Sequence, residues 1–338
     1  MVSMKDIAGA CNVSVATVSK ALNGHNDIGE ETKEYVKRMA KEMGYFPNSS
    51  ARALKMNKSY NLGVLFVDAS RSGLTHNYFA CILESFKITA EKHGYDITFI
   101  NGSKQRKDRM SYVDCCKHKG VDGVVIACID FDDPEVTDLI QSNIPVVTID
   151  YVFNNRVGIM SDNIKGMKDL FQYIYDCGHR KIAYIHGESD LTVTKNRLVS
   201  FYKTADSLGV HIPDEYIAEA PYRNIELTSK ATNDLLNLSD PPTCILFQDD
   251  FASIGGINLI KSRGLSIPND ISVAGYDGIQ IAKIIDPVLT TVNQATDRMG
   301  EIAAEKLISL IEKPKLTLIE QIVIPGELET GASVKILL

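Results

Sequence analysis

Val15, Ala16, Ser19 and Lys20 lie close together in the chain and share one chemistry, short side chains beside a single cation. On the leading turns of a helix, such a set lets the backbone and one long donor approach the floor of a DNA groove; bulkier side chains would hold the helix out. A second set recurs far downstream. Asp68, Asp150, Glu188, Gln248, Asp249, Asp250 and Asp277 each stand at the end of an apolar, β-rich run. In parallel α/β sheets, ligands bind in the crevice outside the carboxyl ends of the strands, where such groups converge. Capping of the following helix is the other use for a carboxylate at these positions, and it stays open for each of them.

The first set requires a helix, a tight turn and a second helix. Ile7, Ala8 and Cys11 fall at helical spacing on one segment, and Val15, Val18 and Leu22 on the next. Asn12 suits the corner, because its short polar side chain tolerates left-handed backbone. Ser14 is placed to cap the second helix. A generic helical hairpin would satisfy the same pattern. A third helix opens at Glu30-Glu31-Thr32, with acids at its positive end, buries Val36, Met39, Ala40 and Met43, and stops at Gly44. Asn48 to Lys55 has a cap residue and helix formers but spans only about two turns, marginal in water without support. Arg52, Lys55 and Lys58 make it cationic, which suggests a helix that folds on DNA.

At 338 residues the chain suits two or three domains. Its net charge of −7 argues against nucleic acid only when taken whole. The first 60 residues hold nine Lys/Arg against six Asp/Glu, a net of +3, and the rest hold 27 against 37, a net of −10. A basic headpiece on an acidic body fits a DNA binder with a separate regulatory domain. The seven cysteines, 11, 81, 115, 116, 128, 177 and 244, form no CxxC pair and no metal spacing with histidine, which suits reduced thiols in a cytoplasmic protein. No apolar run approaches the ~20 residues of a membrane helix and no signal peptide is evident, so no membrane partner is expected.

From residue 61, β-rich runs alternate with helical segments. Strands are read at Leu62–Val67, Tyr95–Ile100, Gly123–Cys128, Val146–Asp150, Ile182–His186, Cys244–Gln248 and Ile271–Tyr276. Gly94, Gly120, Gly178, Gly209 and Gly264 close the intervening helices, giving parallel sheets covered on both faces. No G-x-S-x-G elbow, Walker phosphate loop or G-x-G-x-x-G fingerprint is present, and no metal, cofactor or catalytic set is expected.

Residues 1–60 resemble the headpiece of the lactose-repressor (LacI/GalR) family of bacterial transcription regulators. The resemblance is carried by Met4-Lys-Asp-Ile-Ala8, Val13-Ser-Val-Ala-Thr-Val-Ser-Lys-Ala-Leu-Asn23, Glu30-Glu-Thr32, Gly44-Tyr-Phe-Pro-Asn48 and Ala51-Arg-Ala-Leu-Lys55. It continues through Ile144–Asp150, Ser161-Asp-Asn163 with Gly166, Gly178–Ala183, Arg197 before Phe201, Ile267–Asp277, Asp286-Pro287 and Leu289–Val292. The implied fold is an all-α helix-turn-helix headpiece plus an α/β body of two doubly wound parallel-sheet lobes, like a periplasmic sugar-binding protein. The expected division is a headpiece at 1–47, a hinge helix and linker at 48–60, and a body at 61–338. Its N-lobe covers about 61–161 and 292–324, and its C-lobe about 162–290 and 325–338.

The resemblance also implies roles. Val15 and Ala16 lie at the groove floor, and Ser14, Thr17, Ser19, Lys20 and Asn23 along phosphates or base edges. Lys20 is the candidate for guanine. Asn48, Ala51, Arg52, Leu54 and Lys55 form the hinge contacts, with Leu54 as a wedge between base steps. For the effector, Arg197 and Asp277 come first, as a bidentate donor and an acceptor for vicinal hydroxyls, followed by Asp150, Asp249 and Asp250. Tyr78, Phe79 and Tyr222 are candidate stacking platforms or core aromatics. Several carboxylates around one arginine favour a neutral mono- or oligosaccharide over a phosphosugar. The partners implied are double-stranded palindromic operator DNA, a sugar effector and a second copy of the chain. The leading reading is a sugar-controlled repressor. A catabolite-control regulator answering to a phosphocarrier protein, and a solute-binding protein or small-molecule enzyme, are the alternatives.

Overall fold

In a computed structural model, which describes residues 2–45, 58–67, 73–100 and 110–337, the chain divides into two compact units, one ending at Ser59 and the other beginning at Tyr60. Expectations that rest on Asn48, Ala51, Arg52, Leu54, Lys55 and Asp68 lie outside the described residues.

Helix α1 (Met4–Cys11) starts from a capping box. The Ser3 N–H donates to the Asp6 carboxylate at 2.8 Å, and the Asp6 N–H donates to the Ser3 hydroxyl. Two N–H groups with no partner inside the helix are thereby satisfied. Asn12 ends α1 in the left-handed region at φ 53°, and α2 (Val15–Leu22) begins almost at once from the Ser14 cap. Helix α3 is Glu30–Glu42. Ile7, Ala8, Cys11, Val18, Ala21, Val36 and Ala40 form the core of this unit. One position differs from the sequence pattern: Val15 is 42% exposed, and Ala21 takes the buried place beside Val18. Val15 is the first helical residue, and side chains lean toward a helix's N-terminus, so it projects past the packed face.

The second unit holds two parallel sheets. The first contains β1 (Asn61–Phe66), β2 (Asp96–Ile100), β3 (Gly123–Ala127), β4 (Val146–Ile149), β5 (Val157–Ser161) and β11 (Gln321–Ile324), in the order β11-β5-β4-β3-β1-β2. Every pair in it is parallel. The second sheet, also all parallel, contains β6 (Ile182–His186), β7 (Ile217–Glu219), β8 (Cys244–Phe247) and β9 (Ser272–Ala274), in the order β7-β6-β8-β9.

Alternation along each strand feeds two cores. Val125 and Ala127 face one core with α4 (Asn77–Lys92) and α12 (Thr296–Glu312), while Val124 and Ile126 face another with α5 (Tyr112–Lys119) and α6 (Pro134–Gln141). In the second sheet, Tyr184 and Leu246 join α7 (Asn163–Asp176) and α8 (Thr192–Ser207). Ile185 and Ile245 join α9 (Ile225–Leu236), α10 (Asp250–Ser262) and α11 (Gln280–Ile284). Burial on both faces explains the near-continuous apolar strands.

All seven expected strands are present, with Ile271–Tyr276 trimmed to Ser272–Ala274. Five further strands escaped the sequence pattern: β5, β7, β11, and the antiparallel ribbon of β10 (Thr291–Asn293) and β12 (Glu327–Glu329). The five helix-closing glycines all have positive φ. Among the described residues, no helix is long and apolar enough to cross a membrane.

Candidate nucleic-acid interface and ligand site

On α2, Ser14, Val15, Ala16, Lys20 and Asn23 are exposed, and Thr17 and Ser19 are half-buried. The Ser14 hydroxyl caps the helix, accepting from the Thr17 N–H at 3.0 Å and lying 2.9 Å from the Thr17 hydroxyl. The Asn23 amide donates to the Ser19 carbonyl at 2.7 Å. Lys20 is held by the Asp27 carboxylate at 2.5 Å, a partner that the sequence pattern did not suggest. Hydrogen bonding to Lys20 keeps the Asp27 carboxyl below its ordinary range. The helix therefore presents two small apolar groups, several hydroxyl and amide groups, and one cation already paired within the headpiece.

In the body, Arg197 on α8 anchors the second site, at 2% exposure. Its Nε donates to the Asn163 side-chain oxygen at 2.7 Å, and one Nη donates to the Gln248 carbonyl at 2.9 Å. The guanidinium carbon lies 3.6 Å from the Tyr276 ring centroid and 5.9 Å from that of Tyr222. The other Nη stands 3.8 Å from Asp277 Oδ1, beyond a hydrogen bond. Asp277 follows β9, has φ 115°, and accepts from the Gln294 amide at 2.6 Å. Burial pushes its carboxyl up to about 7, with Asp249 and Asp150 raising it further and Arg197 and Gln294 opposing them.

Asp150, after β4, also has positive φ and accepts from the Tyr78 hydroxyl at 2.8 Å. Burial raises its carboxyl, and Tyr78, Ser161 and Arg197 oppose the rise. Tyr78 feels the charges of Asp150, Asp277 and Arg197, so these groups share one electrostatic environment. Tyr222 belongs to it as well, with its hydroxyl 3.0 Å from that of Thr194.

Three expected residues have other tasks. Asp249 caps α10, accepting from the Ala252 N–H at 2.7 Å and the Arg223 N–H at 2.8 Å, so the capping alternative holds for it while its charge still reaches Arg197 and Asp277. Asp250 has no exposed surface, and its oxygens accept from the Ile279 N–H and the Thr291 hydroxyl, which ties it into the fold instead of turning it to a ligand. Phe79 sits among Phe66, His76 and Tyr78, with ring centroids 4.8 to 5.8 Å away.

Sequence reasoning gave no role to Asn163, Tyr276 or Gln294, which aim Arg197 and Asp277, and placed Gln248 at the strand ends without foreseeing that its carbonyl holds Arg197. Tyr151, whose ring stacks on Phe131 at 4.2 Å and 12° beyond the ends of β4 and β3, was likewise given no place in the sequence pattern. An aromatic directly after the strand-end Asp150 was the available signal. Among the described residues, no group of three or more His, Cys, Asp or Glu side chains is placed to hold a metal ion.

The sequence and the fold have counterparts in known proteins. Residues 3–48 match the family model described as bacterial regulatory proteins, lacI family. Residues 61–335 match that of periplasmic binding proteins and sugar binding domain of LacI family. The chain is 31% identical over 317 residues to the probable HTH-type transcriptional repressor ExuR of Bacillus subtilis (strain 168), covering 93% of each protein. Its fold resembles the lac repressor dimer bound to operator and the anti-inducer ONPF, with a TM-score of 0.84, 22% identity and 99% coverage of both chains. A transcriptional regulator CelR–cellobiose complex matches at a TM-score of 0.71 and 22% identity, over 98% of this chain and 100% of that one.

Proposed function

Because the chain belongs to the LacI family of bacterial regulatory proteins and is a DNA-binding transcriptional regulator, we propose that it is a cytoplasmic, homodimeric repressor whose affinity for a palindromic operator is set by a small sugar held at Arg197 and Asp277. The observation that carries this reading is the 3.8 Å gap between the Arg197 guanidinium and the Asp277 carboxylate. Arg197 is fixed on its other sides by Asn163, the Gln248 carbonyl and Tyr276, so the pair offers a preset donor and acceptor that vicinal hydroxyls would complete. A phosphate would meet three carboxylates, Asp150, Asp249 and Asp277, against the cations Arg197 and Arg223, whereas a neutral polyol satisfies both signs.

On the DNA side, Lys20 reads a guanine, Val15 and Ala16 allow close approach, and Ser14, Thr17, Ser19 and Asn23 fix the helix on the backbone. Asn48, Ala51, Arg52, Leu54 and Lys55 supply the hinge contacts. The two lobes, 61–161 with 292–324 and 162–290 with 325–338, close on the sugar and move the headpieces. The sugar acts only as far as its affinity differs between the two arrangements.

Thermal melting against mono-, di- and oligosaccharides tests the reading. A true effector at 100 times its Kd adds about 2.7 kcal/mol. It must also change the anisotropy of a selected operator duplex, and Asp277→Asn must abolish both responses. A flat panel would transfer control to a non-sugar ligand or a protein partner.

A further inference from the structure

Lys20 is the only Lys or Arg on α2, and its neutralisation by Asp27 is built into the fold. The turn after α2 produces the pairing across seven residues. Gly24 takes φ 72°, the His25 N–H donates to the Lys20 carbonyl at 3.0 Å, and Ile28 packs on the headpiece core. Asp27 is thus returned alongside the helix with both partners about half exposed, at 47% and 54%. His25 is the other titratable group acting on Asp27.

We propose that Asp27 is a specificity-determining residue, one that converts Lys20 from a phosphate anchor into a reader of a G·C base pair. Lysine left alone on a DNA-facing helix binds any phosphate, because the backbone charge is the same in every sequence. With Asp27 attached, taking Lys20 to a phosphate leaves a carboxylate stranded beside a polyanion. A G·C pair avoids that conflict: guanine O6 and N7 accept from the ammonium, and the cytosine N4 amino group donates to the carboxylate. The pair then exchanges one charged partner for two base edges. This inference rests on the reading of α2 as the helix that meets the bases.

The test uses the full chain and a duplex obtained by binding-site selection from a randomised pool. Wild type, Asp27→Asn, Lys20→Met and the double variant are titrated at several salt concentrations on that duplex, on its single-base variants and on an unrelated duplex. Asp27→Asn is expected to steepen the slope of log K against log salt on unrelated DNA by about one, as one more phosphate contact forms. It should also lower discrimination at one G·C position by roughly tenfold. In the Lys20→Met background the same substitution should change neither. A merely structural role for Asp27 would move stability, not slope and base preference. Wild-type slope and preference in Asp27→Asn would overturn the inference, as would an equal effect without Lys20. Should Lys20→Met alone keep the G·C preference, the base-reading assignment of Lys20 fails first and the inference falls with it.

Discussion

The Arg197 guanidinium lies over the Tyr276 ring, 3.6 Å from its centroid, with one Nη and Nε already committed to the Gln248 carbonyl and Asn163. A planar group held at three points is oriented before any ligand arrives, and little freedom is left to lose on binding.

Arg197→Lys keeps the charge but loses the fork and the stacking plane. It is expected to weaken the effector found in the sugar panel by about 10- to 150-fold, the range of one or two hydrogen bonds to a charged group. Removing the cation altogether, in Arg197→Ala, should cost about 3–5 kcal/mol of stability, because buried carboxylates are left without their counter-charge. Calorimetric titration reads the first and urea midpoints the second. Wild-type affinity in Arg197→Lys would place the effector elsewhere.

Asp277 makes the ligand-free body pH-sensitive. Its carboxyl is pushed up to about 7 in the fold, from an ordinary 3.8. Between those values the folded protein holds a proton that the unfolded chain releases, so stability falls as pH rises through this window and levels off above it. Asp150, Asp249 and Asp250 are displaced in the same direction, chiefly by burial. Sugar hydroxyls donating to Asp277 favour its ionised form, so effector affinity should rise from pH 6 to 8 with release of a proton. Titration in buffers of different ionisation enthalpy counts that proton. In ligand-free Asp277→Asn the pH dependence of stability should shrink, read from urea midpoints, and an unchanged profile would remove Asp277 as its source.

Much of this site was legible as residue types and little of it as geometry. Carboxylates at strand ends marked the crevice, because parallel strands must deliver their C-terminal residues to one edge. The same logic could not tell Asp249, a helix cap, from Asp277, a group facing Arg197, since both follow apolar runs and only the partners differ. Asn163 and Gln294 were silent, because their partners Arg197 and Asp277 lie far away in sequence. The missed strand β11 has a physical cause too. It is a four-residue edge strand, Gln-Ile-Val-Ile, too short for a pattern and with two of its residues exposed. In the headpiece, period alone put Val15 on the buried face; its place at the helix start decided otherwise.

His179 ties the C-terminal segment to the second sheet. It is 1% exposed, with Nδ1 2.9 Å from the Thr243 hydroxyl and Nε2 3.1 Å from the Lys335 carbonyl. In the neutral ring, Nε2–H donates to Lys335 and Nδ1 accepts from Thr243. Burial draws its pKa below the ordinary 6.5. Stability is therefore complete above that value and is lost as pH falls below it, where the unfolded chain takes up the proton first. His179→Gln should flatten this acid limb, read from urea midpoints between pH 5 and 7. An undiminished limb would assign it to other groups.

Gly166 connects the start of α7 to the arginine site through Tyr276. A Cβ at residue 166 would stand 2.2 Å from the Tyr276 hydroxyl and 3.1 Å from the ring carbon that carries it. The hydroxyl is buried and has no hydrogen-bond partner among the described residues, so the packing of the ring holds it against the glycine. Gly166→Ala must push the ring, and with it the surface on which Arg197 rests. Overpacking of this kind costs about 1–3 kcal/mol, and effector affinity should fall because Arg197 loses its fixed aim. Tyr276→Phe alone should be neutral or stabilising, since it removes a buried hydroxyl that makes no bond. Combined with Gly166→Ala, it should restore much of both losses by deleting the atom that the new methyl strikes. Independent effects would add, whereas contact through one atom predicts a favourable coupling in a double-mutant cycle. Additivity in both stability and effector affinity would show that Gly166 influences the site by some route other than Tyr276.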